Sequence, residues 1–159
     1  MKTNSIWNAD LGNGNYRNPI LYADYSDPDA IRVGEDYFMI ASSFCNAPGL
    51  PLLHSRDLVN WKVINYIISE IPEERYSEPI HGCGVWAPAI RYHEGTYFVC
   101  FPMPDEGIYM STATDPFGAW SKPVNIRPGA GWIDPCPFWD DDGKAYLVAG
   151  VAKSRIGYK

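Results

Sequence analysis

The stretch Ser26–Ile40, SDPDAIRVGEDYFMI, reads as strand, tight turn, strand, and the chain returns to it twice. The second copy is Trp86–Phe101, WAPAIRYHEGTYFVCF, and the third is Ile133–Val148, IDPCPFWDDDGKAYLV. In each, a Pro precedes an apolar segment, a turn of Gly, Asp and Glu follows, and the next run opens near a Tyr. The intervals are nearly constant: Pro28 to Tyr37, Pro88 to Tyr97 and Pro135 to Tyr146 are 9, 9 and 11 residues. Two copies carry an Asp directly before the Pro, at Asp27 and Asp134; the remaining copy has Ala87 there.

Working outward, the chain adds two more strands to each hairpin. After the first copy, Ser42–Gly49 is a loop holding Phe44, Cys45 and a Pro48-Gly49 turn. Pro51–His54 is a short strand, Ser55–Asn60 turns, and Trp61–Tyr66 runs back as a fourth strand. The phrase HSRDLVNW (His54–Trp61) is echoed by STATDPFGAW (Ser111–Trp120). Both hold an Asp able to make an Asx-turn and a Trp opening the next strand. The unit is therefore four antiparallel strands, used twice and begun a third time, which is the signature of a β-propeller blade. The runs Tyr37–Ile40, Tyr97–Phe101 and Tyr146–Ala149 are apolar on both faces, as strands sandwiched between blades should be. Propellers close with about four to eight blades, and this chain holds about two and a half. The expected division is a lead-in at 1–17, a first blade at 18–70, a second at 86–126 and the start of a third at 133–159. The lead-in is polar, with a Gly12–Asn15 turn and room for a short edge strand. Ile67–Gly84 is the longest linker and shows no amphipathic helix. A β-sandwich would explain the strands but not the paired echoes.

Composition agrees. Of 159 residues, 46% are hydrophobic, 20% charged and 14% aromatic, with 14 Gly and 14 Pro. Aromatics together with turn residues favour an all-β protein. A net charge of -6 leaves no basic stripe to neutralise phosphates, which excludes a nucleic-acid partner. No apolar run reaches membrane-spanning length, so no membrane partner is expected. Lys2, Thr3, Asn4 and Ser5 do not open a signal peptide, which gives a cytoplasmic expectation for an untrimmed chain. The 4 cysteines form no CxxC pair and read as buried free thiols.

The chemistry follows from the repeat. A lone Asp-Pro is a turn former. Two at the same place in two blades lie at the start of the innermost strands, where equivalent positions face one central funnel. Two carboxylates facing a shared pocket suit glycoside hydrolysis, one as general base and the other as acid or as a modulator of its pKa. Trp86 stands nearly at the aspartates' repeat position, Phe44 follows the second strand, and Trp132 lies two residues before Asp134. Flat apolar ring faces suit a neutral sugar. Trp61 and Trp120 read as packing between blades. Asp140–Gly143 lacks the ligand spacing of a calcium loop and reads as a charged hairpin turn. His54, His81 and His93 have no metal-ligand spacing, and there is no GxGxxG, P-loop or GxSxG.

The motifs SDPDAIRVGEDYFMIASSF, PGLPLLHSRDLVNW, GVWAPAIRYHEGTYFV and GWIDPCPFWDDDGKAYLV resemble glycoside hydrolase family 43, in its β-xylosidase and α-L-arabinofuranosidase branch. The resemblance runs from Asn18 to the chain end with the motifs in the family's order. It implies a five-bladed β-propeller and an inverting, exo-acting hydrolase. Such an enzyme releases arabinofuranose or xylose from arabinoxylan- and xylan-type polysaccharides. It implies Asp27 as the general base and Asp134 as the residue that tunes and orients the general acid. Phe44, Trp86, Ala87 and Ile133 match positions that line the family's substrate pocket. No cofactor is required, although the complete protein has room for a central-channel cation such as calcium. The family's general acid is a Glu in a segment resembling EGP on a later blade. That segment has no counterpart in residues 1–159, so the isolated chain is expected to be truncated before its acid and to have little or no activity. A non-catalytic glycan-binding propeller fragment is the alternative. A protein-interaction fragment, with the aspartates only as turn formers, is a third.

Overall fold

A computed structural model describes residues 7–71 and 73–157. The leader reading at positions 2–5, the turn signal at Pro72 and the last two positions of the third unit lie outside the described residues. Strands β1 (Asp29–Val33), β2 (Asp36–Ile40), β3 (Gly49–Ser55) and β4 (Lys62–Ile68) form one sheet in that order. Strands β5 (Ala89–His93), β6 (Thr96–Met103), β7 (Gly107–Ala113) and β8 (Val124–Pro128) form a second in the same order. Strands β9 (Trp132–Trp139) and β10 (Ala145–Val151) pair as a hairpin. Every neighbouring pair is antiparallel. Each copy of the quoted motif is thus the first hairpin of a sheet. In the second, His93 pairs with Thr96, and Glu94 and Gly95 make the turn with φ of 45° and 80°. Positive φ at both central residues is the primed turn whose twist matches that of its strands.

The sheets stand side by side. Strand β1 packs on β5, and β5 and β6 pack on β9. Between the first two sheets lies one core: Phe38, Ile40, Leu50 and Leu52 meet Ile90, Val99 and Phe101, all buried. Each such side chain stabilises the fold by about 1.5–3 kcal/mol. The apolar runs of β2 and β6 fit between sheets as their sequence suggests. The third run differs. Tyr146, Leu147 and Val148 are exposed, because among the described strands β10 packs substantially only on β9. The long linker also holds more structure than its sequence implied, a single 3₁₀ turn at Glu74–Ser77. In the lead-in, Asp10 and Tyr16 form an isolated antiparallel bridge.

All 4 cysteines are free. Burial pushes the Cys100 thiol up to about 12.

Both Asx-turns expected between third and fourth strands form. Asp115 accepts from the Phe117 N–H at 2.9 Å. Asp57 accepts from the Asn60 side-chain amide at 2.8 Å and from the backbone N–H groups of Asn60 and Val59 at 2.7 and 2.9 Å. Those bonds, the Asn60 amide first, hold the Asp57 carboxyl well below the usual carboxylate range. A lowered folded-state pKa gives stability that is complete above about pH 4 and lost as pH falls further. Asp57→Asn is therefore expected to melt a few degrees below the parent near neutral pH. The gap should narrow steadily on acidification, as thermal melts at several pH values would record.

Candidate active site

The two repeat-matched aspartates share an unusual backbone. Asp27 has φ of 49° and Asp134 of 51°, both in the left-handed region. A short polar side chain is among the few that tolerate this conformation, at a cost in strain. Ala87, at the matching place in the second sheet, is not left-handed. Around Asp134 the hairpin is bulged: Cys136 pairs with Val148 and Ile133 with Gly150, so Asp134 and Pro135 oppose Ala149 alone. A bulge re-aims the side chain it carries. Gly150 keeps that space open, since a Cβ there would stand 3.2 Å from Ile133 Cγ1 and 3.7 Å from Asp134 Oδ2. Both aspartates are exposed.

A continuous series of contacts joins Asp27 to the aromatic residues. The Ser42 hydroxyl donates to Asp27 Oδ2 at 2.8 Å, while the Ser42 N–H donates to the Ser26 carbonyl at 3.0 Å. Two residues on, Phe44 has φ of 49° and bridges Val85, with N–H to carbonyl distances of 2.8 and 3.0 Å in the two directions. This approach requires Gly84. Its φ is 86°, and a Cβ there would fall 2.3 Å from the Phe44 carbonyl oxygen. Phe44 is thereby held beside Trp86. The Trp86 indole N–H donates to the Gly82 carbonyl at 3.2 Å, and the Arg155 guanidinium carbon lies 5.1 Å from its ring centroid. Both rings are half-buried. Beside Phe44 opens a hollow of about 420 Å³, bounded by Cys45, Asn46, Pro79, Ile80 and His81.

The linker that forms this wall is fastened by charge. Arg75 meets Asp105 at 2.7 Å and Glu106 at 2.8 Å, and Arg155 meets Asp105 at 3.2 Å. Burial pushes the Glu106 carboxyl up, with Arg75 pulling the other way. For Asp105, burial opposes the charge but Arg75 and Arg155 outweigh it and hold the carboxyl low. The Tyr109 hydroxyl donates to Glu73 at 2.7 Å, tying the linker to β7.

Arg91 on β5 spans the gap between the two aspartates' strands. Its Nη1 lies 2.5 Å from Asp29 Oδ2 and its Nη2 3.1 Å from Cys136 Sγ. Asp29 and Cys136 each follow a site aspartate by two residues. The Arg91 bridge therefore joins the chain two residues after Asp27 to the chain two residues after Asp134. Asp27 is linked through Ser42 and the Phe44–Val85 bridge to the segment carrying Trp86, and through Asp29, Arg91 and Cys136 to the segment carrying Asp134. Ala87 sits next to Trp86 and Ile133 next to Asp134, both half-buried. Trp132 is covered by Arg127, whose guanidinium carbon lies 4.8 Å from the ring centroid. Sequence reasoning passed over Ser42, Gly84 and Arg91. Ser42 gives no signal in a Ser-rich loop. Arg91 does, because it is a charged residue on an inner strand where the first sheet has Ile31.

The family model for glycosyl hydrolases family 43 matches residues 16–158. The chain belongs to glycosyl hydrolase family 43. A protein from Xylanibacter ruminicola that bears a β-xylosidase name is 47% identical over 140 residues, 87% of this chain and 26% of the relative. A non-reducing end α-L-arabinofuranosidase of Bacteroides ovatus is 38% identical over 155 residues, 91% of this chain and 28% of the relative. Among solved structures, the family 43 protein BlXynB from Bacillus licheniformis aligns with a TM-score of 0.75 at 38% identity. That alignment covers 85% of this chain and 29% of BlXynB. This family 43 chain therefore spans about a quarter of the length of the relatives it matches. Its all-β architecture matches that of the solved family 43 structures.

Proposed function

We propose that residues 1–159 supply the general base and its partner carboxylate to an exo-acting, inverting glycosidase built on a five-bladed propeller. The substrates are xylan- or arabinoxylan-type chains, and the product is xylose or arabinofuranose. The observation that carries this reading is the pairing of Asp27 and Asp134. They occupy one repeat position and adopt one strained backbone conformation, and Arg91 ties together the strands that follow them. Asp27 removes a proton from the attacking water, and the Ser42 hydroxyl fixes the carboxylate's orientation for that step. Asp134 tunes and aligns a general acid, a Glu contributed by sequence outside these residues. Inversion needs base and acid roughly 6.5–9.5 Å apart, with room for a water between them. Phe44 and Trp86 stack against the sugar, with Ala87 and Ile133 closing its sides.

The test is hydrolysis of aryl β-D-xyloside and aryl α-L-arabinofuranoside by the full-length protein, with the first-formed anomer read by proton NMR. Turnover giving the inverted anomer is expected, and none from residues 1–159 alone. Retention of configuration would overturn the mechanism. Sugar binding without turnover by the full-length protein would instead favour a glycan-binding propeller.

A further inference from the structure

Among the described residues, the Arg91 guanidinium touches the strands that follow both aspartates. Matching the sheets by their hairpin registers makes Val33 equivalent to His93, Pro28 to Pro88 and Asp27 to Ala87. In that frame Asp29 and Cys136 are the same position in the first and third sheets, each two residues after an aspartate of the site. Arg91 comes from the intervening sheet, at the place Ile31 holds in the first. Its Nη1 takes Asp29 at 2.5 Å and its Nη2 takes Cys136 Sγ at 3.1 Å. The Asp29 oxygen that binds Nη1 also accepts the Ile90 N–H at 2.9 Å, and Nη1 donates to the Ile90 carbonyl at 2.6 Å. The arginine and its carboxylate are therefore pinned to β5 at both ends.

We infer that Arg91 is a positioning residue for the proposed hydrolysis: its planar fork fixes β1 against β9 and so sets the separation of the Asp27 and Asp134 carboxylates. This rests on the reading of those aspartates given above. A guanidinium presents its donors in a rigid, planar arrangement, whereas an ammonium is a single point charge on a flexible stem. Lysine at 91 would keep the charge beside Asp29 but could not hold Asp29 and Cys136 at a fixed spacing. The groups facing Arg91 are Asp29 from β1, Cys136 from β9 and the buried Cys100 from β6. Burial opposes the charge on Arg91, and Asp29 with Cys136 outweighs it, so the fork stays protonated. Misplacing catalytic groups by about 1 Å costs on the order of 10²-fold in rate. Both bonds of the fork are partly buried.

The test is steady-state kinetics of Arg91→Lys, Cys136→Ala and the double variant in the full-length protein, with the folded fraction of each counted from its thermal melt. Arg91→Lys is expected to lose about 10²-fold in kcat with KM changed less than about threefold. Cys136→Ala removes the far end of the fork and should lose part of the same kcat. The double variant should be no worse than Arg91→Lys, because the residues act as one unit. Loss of kcat that disappears once activity is counted per folded molecule would overturn the inference, as would additive losses in the double variant. Should Arg91→Lys fail to fold, Cys136→Ala decides alone: unchanged kcat overturns the inference, and a lowered kcat at unchanged KM upholds it. Asp27→Asn serves as the control for the underlying reading. Full activity there would remove the site itself rather than the role of Arg91.

Discussion

Asp27→Asn in the full-length protein is expected to lower kcat by about 10²–10⁴-fold with KM within a few-fold of the parent. The amide has the size and shape of the carboxylate and can still accept the Ser42 hydroxyl bond of 2.8 Å. It tolerates the left-handed backbone that position 27 requires, φ 49°. Fold and sugar binding should therefore persist while the proton acceptor is lost. The defect should be equally large for aryl glycosides with good leaving groups and for xylo-oligosaccharides, because every substrate needs an activated water. Small anions offer a second readout. Azide needs no deprotonation, so it should restore turnover to Asp27→Ala and form a glycosyl azide of inverted configuration. An Asp27→Asn protein with parental kcat would remove Asp27 from the mechanism.

The fold was legible because a propeller blade repeats. Any one Asp-Pro, Gly turn or Tyr-led strand is weak evidence, but three copies at near-constant spacing are not, and the sheets form where those copies stand. The Asx-turns at Asp57 and Asp115 were legible for a related reason: each is local, made by a side chain to backbone N–H groups two or three residues on. What stayed hidden was long-range. Ser42 reaches Asp27 across 15 residues, and Arg91 reaches Asp29 and Cys136 across 62 and 45. No spacing rule connects such positions. Gly84 is similar, for its need arises from the Phe44 carbonyl that folds onto it, 40 residues away in sequence. The exposure of β10 escaped for the opposite reason. An apolar run states that a strand can be buried on both faces, but its partners decide whether it is.

Asp134→Asn should produce a different defect, and the difference separates the two carboxylates by role. A negative charge near a protonated acid raises that acid's pKa, because ionisation would bring two like charges together. Removing the charge of Asp134 should therefore lower the acid's pKa. The alkaline limb of kcat/KM should then move to lower pH, by roughly one unit. At the pH optimum of the parent, a larger fraction of the variant holds its acid deprotonated and unable to protonate the departing oxygen. That fraction accounts for at most about tenfold; with the acid also left unaligned, the loss in kcat should be about 10²-fold on xylobiose, whose leaving group needs that proton. It should nearly vanish on a dinitrophenyl glycoside, whose leaving group departs as a stable anion. Asparagine also tolerates the bulged, left-handed backbone at position 134, φ 51°, so Ile133 and Gly150 should keep their register. A loss of equal size on both substrates would make Asp134 a direct participant in water activation or sugar binding. A loss that tracks leaving-group pKa, together with the acidward shift, would assign it to the acid half of the mechanism and leave Asp27 as the base.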